Sequence, residues 1–266
     1  MINFTLYKQG LKSNYKIFII FLAILTLYTT VMISMYSGEK AAALEEIYST
    51  MPELMNTIGM TGDSSTLIGF IITYLYGFIY MLFPMIFTSM ISNKLIASHT
   101  DKGSMAYLLS SGNSRSKIIF TQMKVIGTFL FALITYITII GIIMSEIVAS
   151  GNLDIGRFII LNIGLFVLHI AISGICFLAS TIFNETKNAI LFGAGIPVVF
   201  FLMQMLANMG GKLENLKYAT IYTLFNPREI SKGTQSAYLM IGVLAIISIM
   251  LYFISFRIFK KKDIPV

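Results

Sequence analysis

The hydrophobic positions of the chain fall into six long runs that carry no charged side chain and are separated by polar stretches. Each run is longer than the roughly 20 residues that a helix needs to cross about 30 Å of hydrocarbon. The runs are continuous rather than alternating, which excludes the pattern of a membrane β-barrel. The sequence therefore predicts an all-α polytopic membrane protein with six transmembrane helices, at residues 17–36, 67–91, 118–146, 157–183, 188–209 and 236–258.

The connecting segments predict surface helices. Residues 1–16 place apolar side chains among lysines at helical spacing, interrupted only by Gly10, and indicate an interfacial helix before the first span. Residues 37–66 predict an outer amphipathic helix with a break near Pro52, which either caps the bundle or is a solvated connector. The last outer loop, residues 210–235, predicts one more short surface helix.

Residues 92–117 form the longest polar break on one side of the predicted bundle. Ser98 and Asp101 have the spacing of a capping box, and Gly112 stands where a helix usually stops, so one short helix is expected. Its apolar face is formed by side chains at positions i, i+3 and i+4, namely Met105, Leu108 and Leu109. Periodicity alone leaves three contacts open for this face: its own membrane helices, lipid headgroups or a partner protein.

Composition and charge support a membrane protein and give it an orientation. With 56% hydrophobic and 12% charged residues in 266, the chain lies outside the usual composition of soluble proteins. Thirteen of the 19 Lys and Arg residues lie on the side that holds both termini, the 92–117 loop and the 259–266 tail. The positive-inside rule places that side in the cytoplasm. Topology and anionic lipid thereby explain the net charge of +7, so no nucleic-acid partner is expected.

The sequence has none of the motifs that would make it an enzyme: no P-loop, no zinc-protease motif, no nucleophile elbow and no cysteine cluster. The single cysteine, Cys176, is expected to be a packing residue. Among residues that ionise near neutral pH, only His169 lies within a predicted span. Three roles are open for it: a proton relay, a substrate or subunit contact, or a neutral histidine hydrogen-bonded within the bundle.

A candidate substrate path follows from soft and amphipathic side chains at membrane depth. Pro84 is expected to bend the second span, which is rich in Tyr and Met. Such a surface accommodates varied apolar cargo, although the same residues also serve as packing and interface anchors. The candidate path comprises Tyr74, Tyr80, Met81, Met85, His169 and Gln204.

The stretch from Asp101 to Arg115, DKGSMAYLLSSGNSR, followed by Lys124, resembles the signature of ABC-2 type exporter permeases. Those proteins carry K-G-[TS]-x-x-x-L-L-S, a turn, S-R and then a lysine between their second and third spans. Gly112-Asn113 departs from the proline that many relatives have there. Residues 51–54 and 263–266 are similar to the Gram-positive branch, which includes exporters of phenol-soluble modulins and of bacitracin or lantibiotics.

The resemblance implies a function in transport. The 92–117 loop would form a coupling helix that contacts a separate ATPase subunit through Asp101, Lys102, Gly103, Met105, Tyr107, Leu108 and Leu109. It implies two permease chains with two ATPases, ATP and Mg²⁺ on the partner and no cofactor in this chain. In the bacterial cell membrane, the complex would export amphipathic or antimicrobial peptides, or hydrophobic drugs, by alternating access and so confer antibiotic resistance. Two alternatives remain: a proton-coupled carrier that uses His169, and a non-transporting peptide-sensing or immunity protein.

Overall fold

Long helices form most of the described chain, because a backbone within a bilayer has to satisfy its own hydrogen bonds. The computed structural model describes residues 2–36, 50–60, 64–110 and 112–262, together with Leu44 and Glu46. The α-helices among these residues are α1 (Phe4–Ser34), α2 (Pro52–Thr57), α3 (Leu67–Ile71), α4 (Ile79–Leu95), α5 (Ala97–Asp101), α6 (Ser104–Ser110), α7 (Arg115–Val148), α8 (Ile155–Ile182), α9 (Thr186–Gly193), α10 (Gly195–Asn208), α11 (Pro227–Lys232) and α12 (Gln235–Lys261).

Six helical units in this part of the chain are long and apolar enough to cross a membrane. They are α1, α4 with α5, α7, α8, α9 with α10, and α12. The regular elements of the described residues are all helical, as the sequence predicts. The prediction of an all-α fold with six membrane-crossing helices is confirmed.

The first span begins earlier than predicted. Residues 4–34 form one helix, so no break separates the predicted interfacial helix, residues 1–16, from the span. The Asn3 side chain begins it by accepting a hydrogen bond from the Leu6 N–H at 3.0 Å. Gly10 lies inside α1, where an added Cβ would come within 2.9 Å of the Val125 side chain on α7. The glycine is therefore a point of close helix approach, and its interpretation as a break was wrong.

Residues 67–95, called segment 2 below, have an irregular backbone. Helix α3 runs into a π-helical turn, Ile72–Tyr76, and the chain then turns at Gly77 and Phe78 before α4 begins. Pro84 lies inside α4, the helix in which the sequence predicts a bend. An added Cβ at Gly77 would lie 2.7 Å from the Gly59 carbonyl oxygen, so only glycine fits this contact between the first outer loop and segment 2.

Helix α8 lies at the centre of the bundle. It packs most extensively against α12 and also contacts α4, α7 and α9, whereas α1 packs on α7 and α4. The apolar windows of α4–α5 and α8 are each 61% buried within the chain, against 22% for α1 and 17% for α12. The outer helices therefore turn most of their surface towards lipid or another protein.

The two predicted outer segments are described to different extents. The predicted outer helix in residues 37–66 lies largely outside the described residues, and the described part contains the short helix α2. Residues 210–235 contain two 3₁₀ turns and α11 rather than one surface helix. This loop packs into the end of the bundle, because Tyr222, Phe225 and Ile230 are each at most 2% exposed.

Candidate functional site

The Gly103 segment, residues 97–113, consists of two short helices where one was expected. Helix α5 ends at Asp101, and Gly103 has a positive φ of 69°, which a continuous helix cannot contain. The Ser104 hydroxyl lies 2.9 Å from His99 Nδ1 and donates to the His99 carbonyl oxygen at 3.2 Å, so it fixes the turn. Gly112 has a φ of 77° and ends the segment, as predicted.

The two faces of this segment have different surroundings. Met105 is fully buried and belongs to the hydrophobic core, and Leu108 and Leu109 pack partly against the same core. The predicted apolar face therefore contacts the chain's own bundle, and Met105 has no surface left for a partner in this conformation. The opposite face exposes Asp101, Lys102 and Gly103 together with Tyr107, whose side chain is 80% exposed.

The Gly103 segment lies at the end of the bundle where the described chain begins and ends, called the termini end below. Asn3 Nδ2 donates to Asn113 Oδ1 at 2.7 Å and ties α1 to the segment. Arg115 donates to the Lys260 carbonyl oxygen at 3.5 Å. Lys262 Nζ donates to the Phe183 carbonyl oxygen at 2.8 Å, at the C-terminus of α8. Burial lowers the pKa of the Lys262 ammonium to about 8.

The opposite end of the bundle contains a cavity of about 500 Å³, called the opposite-end cavity. Segment 2, α10 and the first and last outer loops contribute to its wall. Apolar lining comes from side chains such as Tyr76, Met81 and Phe225, and polar lining from Gln204 and Asn208. The charged lining residues are Lys217, Arg228, Glu229 and Lys232.

Gln204 organises the polar side of this cavity. Its Oε1 accepts hydrogen bonds from the hydroxyls of Thr220 at 3.1 Å and Thr223 at 3.0 Å, which join α10 to the 3₁₀ turns. Its Nε2 donates to Asn208 Oδ1 at 3.2 Å, and Asn208 in turn donates to the Thr57 carbonyl oxygen at 3.4 Å. Gln204, together with Asn208, thereby connects the first and the last outer loop to α10.

The charged groups around the cavity are mostly arranged in local pairs. Lys217 lies 2.6 Å from Glu214, and this contact lowers the pKa of the Glu214 carboxyl while it raises that of the Lys217 ammonium. Lys232 lies 3.1 Å from Glu229. Partial burial lowers the pKa of the Arg228 guanidinium, which nevertheless stays charged at neutral pH.

Comparison with protein families decides the class of this protein. The family described as ABC-2 family transporter protein matches residues 8–264, nearly the whole chain. The chain belongs to the ABC-2 transporter family. It is thus a permease subunit of an ABC transporter, a multi-pass component of the bacterial cell membrane. A comparison with curated proteins gave no significant match.

The structure separates the residues predicted for the substrate path of this ABC-2 permease. Met81 and Gln204 line the opposite-end cavity together. Tyr74, Tyr80 and Met85 are packed in the core, with at most 3% of each exposed. Met85 accepts a hydrogen bond from the Tyr222 hydroxyl at 3.0 Å, so it holds the last outer loop in place.

His169 is also packed in the core of the permease and does not line the opposite-end cavity. Its Nε2 lies 2.9 Å from the Tyr80 carbonyl oxygen, which is a contact to backbone. Of the three roles that the sequence leaves open, a neutral histidine hydrogen-bonded within the bundle fits this geometry, because a carbonyl oxygen accepts but cannot receive a proton in a relay.

Several cavity residues were not predicted. Asn208 follows Gln204 by four residues, so the two lie on one face of α10, and this spacing is a signal that could have identified the pair. Arg228 had no such signal, because it reaches the cavity from α11, far along the sequence from segment 2.

Proposed function

We propose that this permease is the membrane subunit of an ATP-driven exporter whose Gly103 segment docks on a separate ATPase subunit. The observation that carries the proposal is the exposed strip of Asp101, Lys102, Gly103 and Tyr107 on a segment otherwise anchored in the bundle. An exposed tyrosine with charged neighbours is typical of an interface anchor, since aromatic side chains dominate binding energy at protein contacts. No Cβ added at Gly103 would meet another atom within 4 Å, so a partner backbone can approach there closely.

The buried face of the same segment suggests how force would reach the membrane helices. This face packs against the hydrophobic core through Met105, Leu108 and Leu109. Helix α5 of the Gly103 segment follows directly on α4 of segment 2. When two ATP-bound ATPase subunits close on each other, a docked segment moves with them. Segment 2 then moves with the segment, and the permease exchanges an inward-facing for an outward-facing state because ATP binding stabilises one of them.

The orientation and the assembly follow from charge and exposed surface. Lys and Arg residues concentrate at the termini end, which supports a cytoplasmic position for it. Helices α1 and α10 expose large apolar side chains, among them Ile19, Ile20, Val199 and Leu202. These faces are available to lipid and to a second permease chain, with which this chain would form a complex of two permeases and two ATPases.

The cargo that suits this permease is an amphipathic peptide or a hydrophobic drug. A cavity of about 500 Å³ lies within the size range of pockets for drug-sized groups, so it would hold such a molecule or a few residues of a peptide at a time. Its apolar wall, with Tyr76 and Met81, faces polar groups such as Gln204, which matches a cargo with one apolar and one polar side. A role in antibiotic resistance would follow from export of antimicrobial peptides.

The docking proposal is tested by co-purification of the tagged permease from its native membranes. The unmodified chain is expected to retain a P-loop ATPase, and Tyr107→Asp is expected to lower its yield at least tenfold, because the change places a charge in the centre of the contact. Stimulation of the ATPase activity of the purified complex by an amphipathic peptide, with a scrambled non-amphipathic peptide as comparison, tests the cargo class.

Tyr218→Asp is the matched control. Tyr218 is 76% exposed, nearly as much as Tyr107, but it lies in the loop at the opposite end. If Tyr107→Asp and Tyr218→Asp retain the same amount of ATPase, the docking assignment is wrong. If both peptides stimulate equally, the peptide cargo should be abandoned.

A further inference from the structure

Pro84 leaves a backbone acceptor without its usual donor in the middle of segment 2. In an α-helix the N–H of residue 84 would donate to the carbonyl oxygen of Tyr80, four residues earlier, but proline has no N–H. In a bilayer no water is available to replace the missing donor, so a proline in a membrane helix depends on a neighbouring group.

The neighbouring group here is an imidazole from another helix. His169 of α8 is fully buried, and its Nε2 lies 2.9 Å from the same Tyr80 carbonyl oxygen. A carbonyl oxygen only accepts, so Nε2 carries the proton. The other ring nitrogen, Nδ1, has no hydrogen-bond partner within the part of the chain that the structure describes, which fits a neutral ring with its second nitrogen unprotonated.

The side chain of Tyr80 is anchored as well. Its hydroxyl lies 2.7 Å from the Thr29 hydroxyl on α1, and its ring meets the Tyr76 ring edge-on at 4.9 Å between centroids. Tyr80 is therefore joined to α8 through its backbone and to α1 through its side chain. The contacts fix the segment just before Pro84 against two different helices.

We propose that His169 is a positioning residue that replaces the helix hydrogen bond removed by Pro84 and so holds segment 2 against α8 at this point. Pro84 separates the part of segment 2 that lines the opposite-end cavity, with Tyr76 and Met81, from the part that leads to the Gly103 segment. His169 thereby sets the relative position of the two candidate sites. This inference depends neither on the identity of the cargo nor on the docking of an ATPase.

A double-mutant cycle with Pro84→Ala tests the proposal in the purified full-length permease. In the Pro84 background, His169→Leu leaves the Tyr80 carbonyl oxygen unpaired and is expected to lower the Tm by several degrees, of which about 3 °C reflects the lost hydrogen bond. In the Pro84→Ala background, the N–H of residue 84 donates to that oxygen, so this 3 °C disappears. The packing change caused by Leu is the same in both backgrounds and cancels.

Two outcomes overturn the proposal in this cycle. One is an equal Tm loss from His169→Leu in both backgrounds, which would make His169 a packing residue only. The other concerns His169→Gln, which keeps an N–H donor near the position of Nε2 and is expected to retain most of the stability. If the Gln variant is as unstable as the Leu variant, hydrogen bonding to Tyr80 is not what His169 supplies.

A spectroscopic measurement provides a readout that a packing role would not produce. The chain has only two histidines, so the ¹⁵N signals of a histidine-labelled sample can be assigned with a His99→Gln variant. Near neutral pH the His169 ring is expected to be a neutral tautomer protonated at Nε2. A ring protonated at Nδ1, alone or together with Nε2, contradicts the proposal.

Discussion

Helix α12 and the membrane-crossing unit that contains α4 of segment 2 are both apolar enough to cross a membrane, yet segment 2 and α12 differ in regularity and burial. Segment 2 has a π-helical turn, an interruption at Gly77 and a proline, and most of it is buried. Helix α12 runs without interruption for 27 residues and is mostly exposed. Among the described residues, two side-chain hydrogen bonds join it to other helices: Tyr252 pairs with Ser173 of α8, and Arg115 of α7 donates to the Lys260 carbonyl oxygen in its last turn.

The difference indicates where irregular backbone can be stable in a membrane protein. Backbone groups released from a helix need partners, and neighbouring helices supply them only at buried positions. Segment 2 finds such a partner in His169, whose Nε2 lies 2.9 Å from the Tyr80 carbonyl oxygen, whereas α12 is a regular helix with a mostly exposed surface. The irregular element also adjoins both candidate sites of this permease, in line with the frequent occurrence of π-helical turns at functional sites.

The largest effect is expected from adding one methyl group where segment 2 meets the first outer loop. In Gly77→Ala the new Cβ would lie 2.7 Å from the Gly59 carbonyl oxygen and 3.0 Å from that of Thr73, and backbone atoms cannot move aside. We expect a loss of more than about 3 kcal/mol in unfolding free energy, measured by SDS titration of the purified permease.

Gly242→Ala on α12 is the matched comparison for this change. No atom lies within 4 Å of its added Cβ, and alanine favours a helix over glycine, so stability is expected to stay equal or to rise by about 0.5 kcal/mol. If Gly77→Ala and Gly242→Ala lose the same amount of unfolding free energy, the contrast between the tightly packed segment 2 and the exposed helix α12 is wrong.

The membrane spans could be predicted from the length of the apolar runs. Features that depend on contacts between distant residues could mostly not be predicted. Six spans followed from continuous apolar runs, because crossing hydrocarbon imposes one length and one secondary structure. Gly10 and Gly103 were both misjudged, although for different reasons. Gly10 was predicted to interrupt a helix, but it lies inside α1 at a point where Val125 approaches closely. Gly103 was predicted to lie within one continuous helix, but its positive φ divides that helix into two.

The candidate sites show the same limit. The Gly103 segment was located by its motif, yet the motif does not tell which face of the segment is buried, and the structure places Met105 in the core. The opposite-end cavity could not be derived, since its wall combines residues from Asn56 to Lys232 that only tertiary packing brings together. The sequence predicted a bend at Pro84 and a buried or functional role for His169. Nothing in the sequence indicates that these two residues, on different helices, lie close together.

A smaller effect is expected within α12, where one face packs on α8 and the other is exposed. Leu244 is fully buried, so Leu244→Ala leaves a cavity and is expected to cost about 2 kcal/mol in the same unfolding measurement. Leu239 is 65% exposed on the same helix, and Leu239→Ala is expected to change stability by less than about 0.5 kcal/mol. Should the exposed leucine cost as much as the buried one, another chain must cover that face in the purified protein.

The smallest effect concerns the polar contact that joins segment 2 to α1. Thr29→Val keeps the shape of the side chain but removes the hydroxyl that lies 2.7 Å from the Tyr80 hydroxyl, and hydrogen bonds between membrane helices contribute about 0.6 kcal/mol on average. Because this hydroxyl is buried, we expect a loss of about 1 kcal/mol. Thr30→Val is the control, since the hydrogen bond that Thr30 donates among the described residues stays within its own helix, to the Leu27 carbonyl oxygen at 3.1 Å. Identical stabilities of the two variants would mean that packing and the His169 contact hold Tyr80 without help from α1.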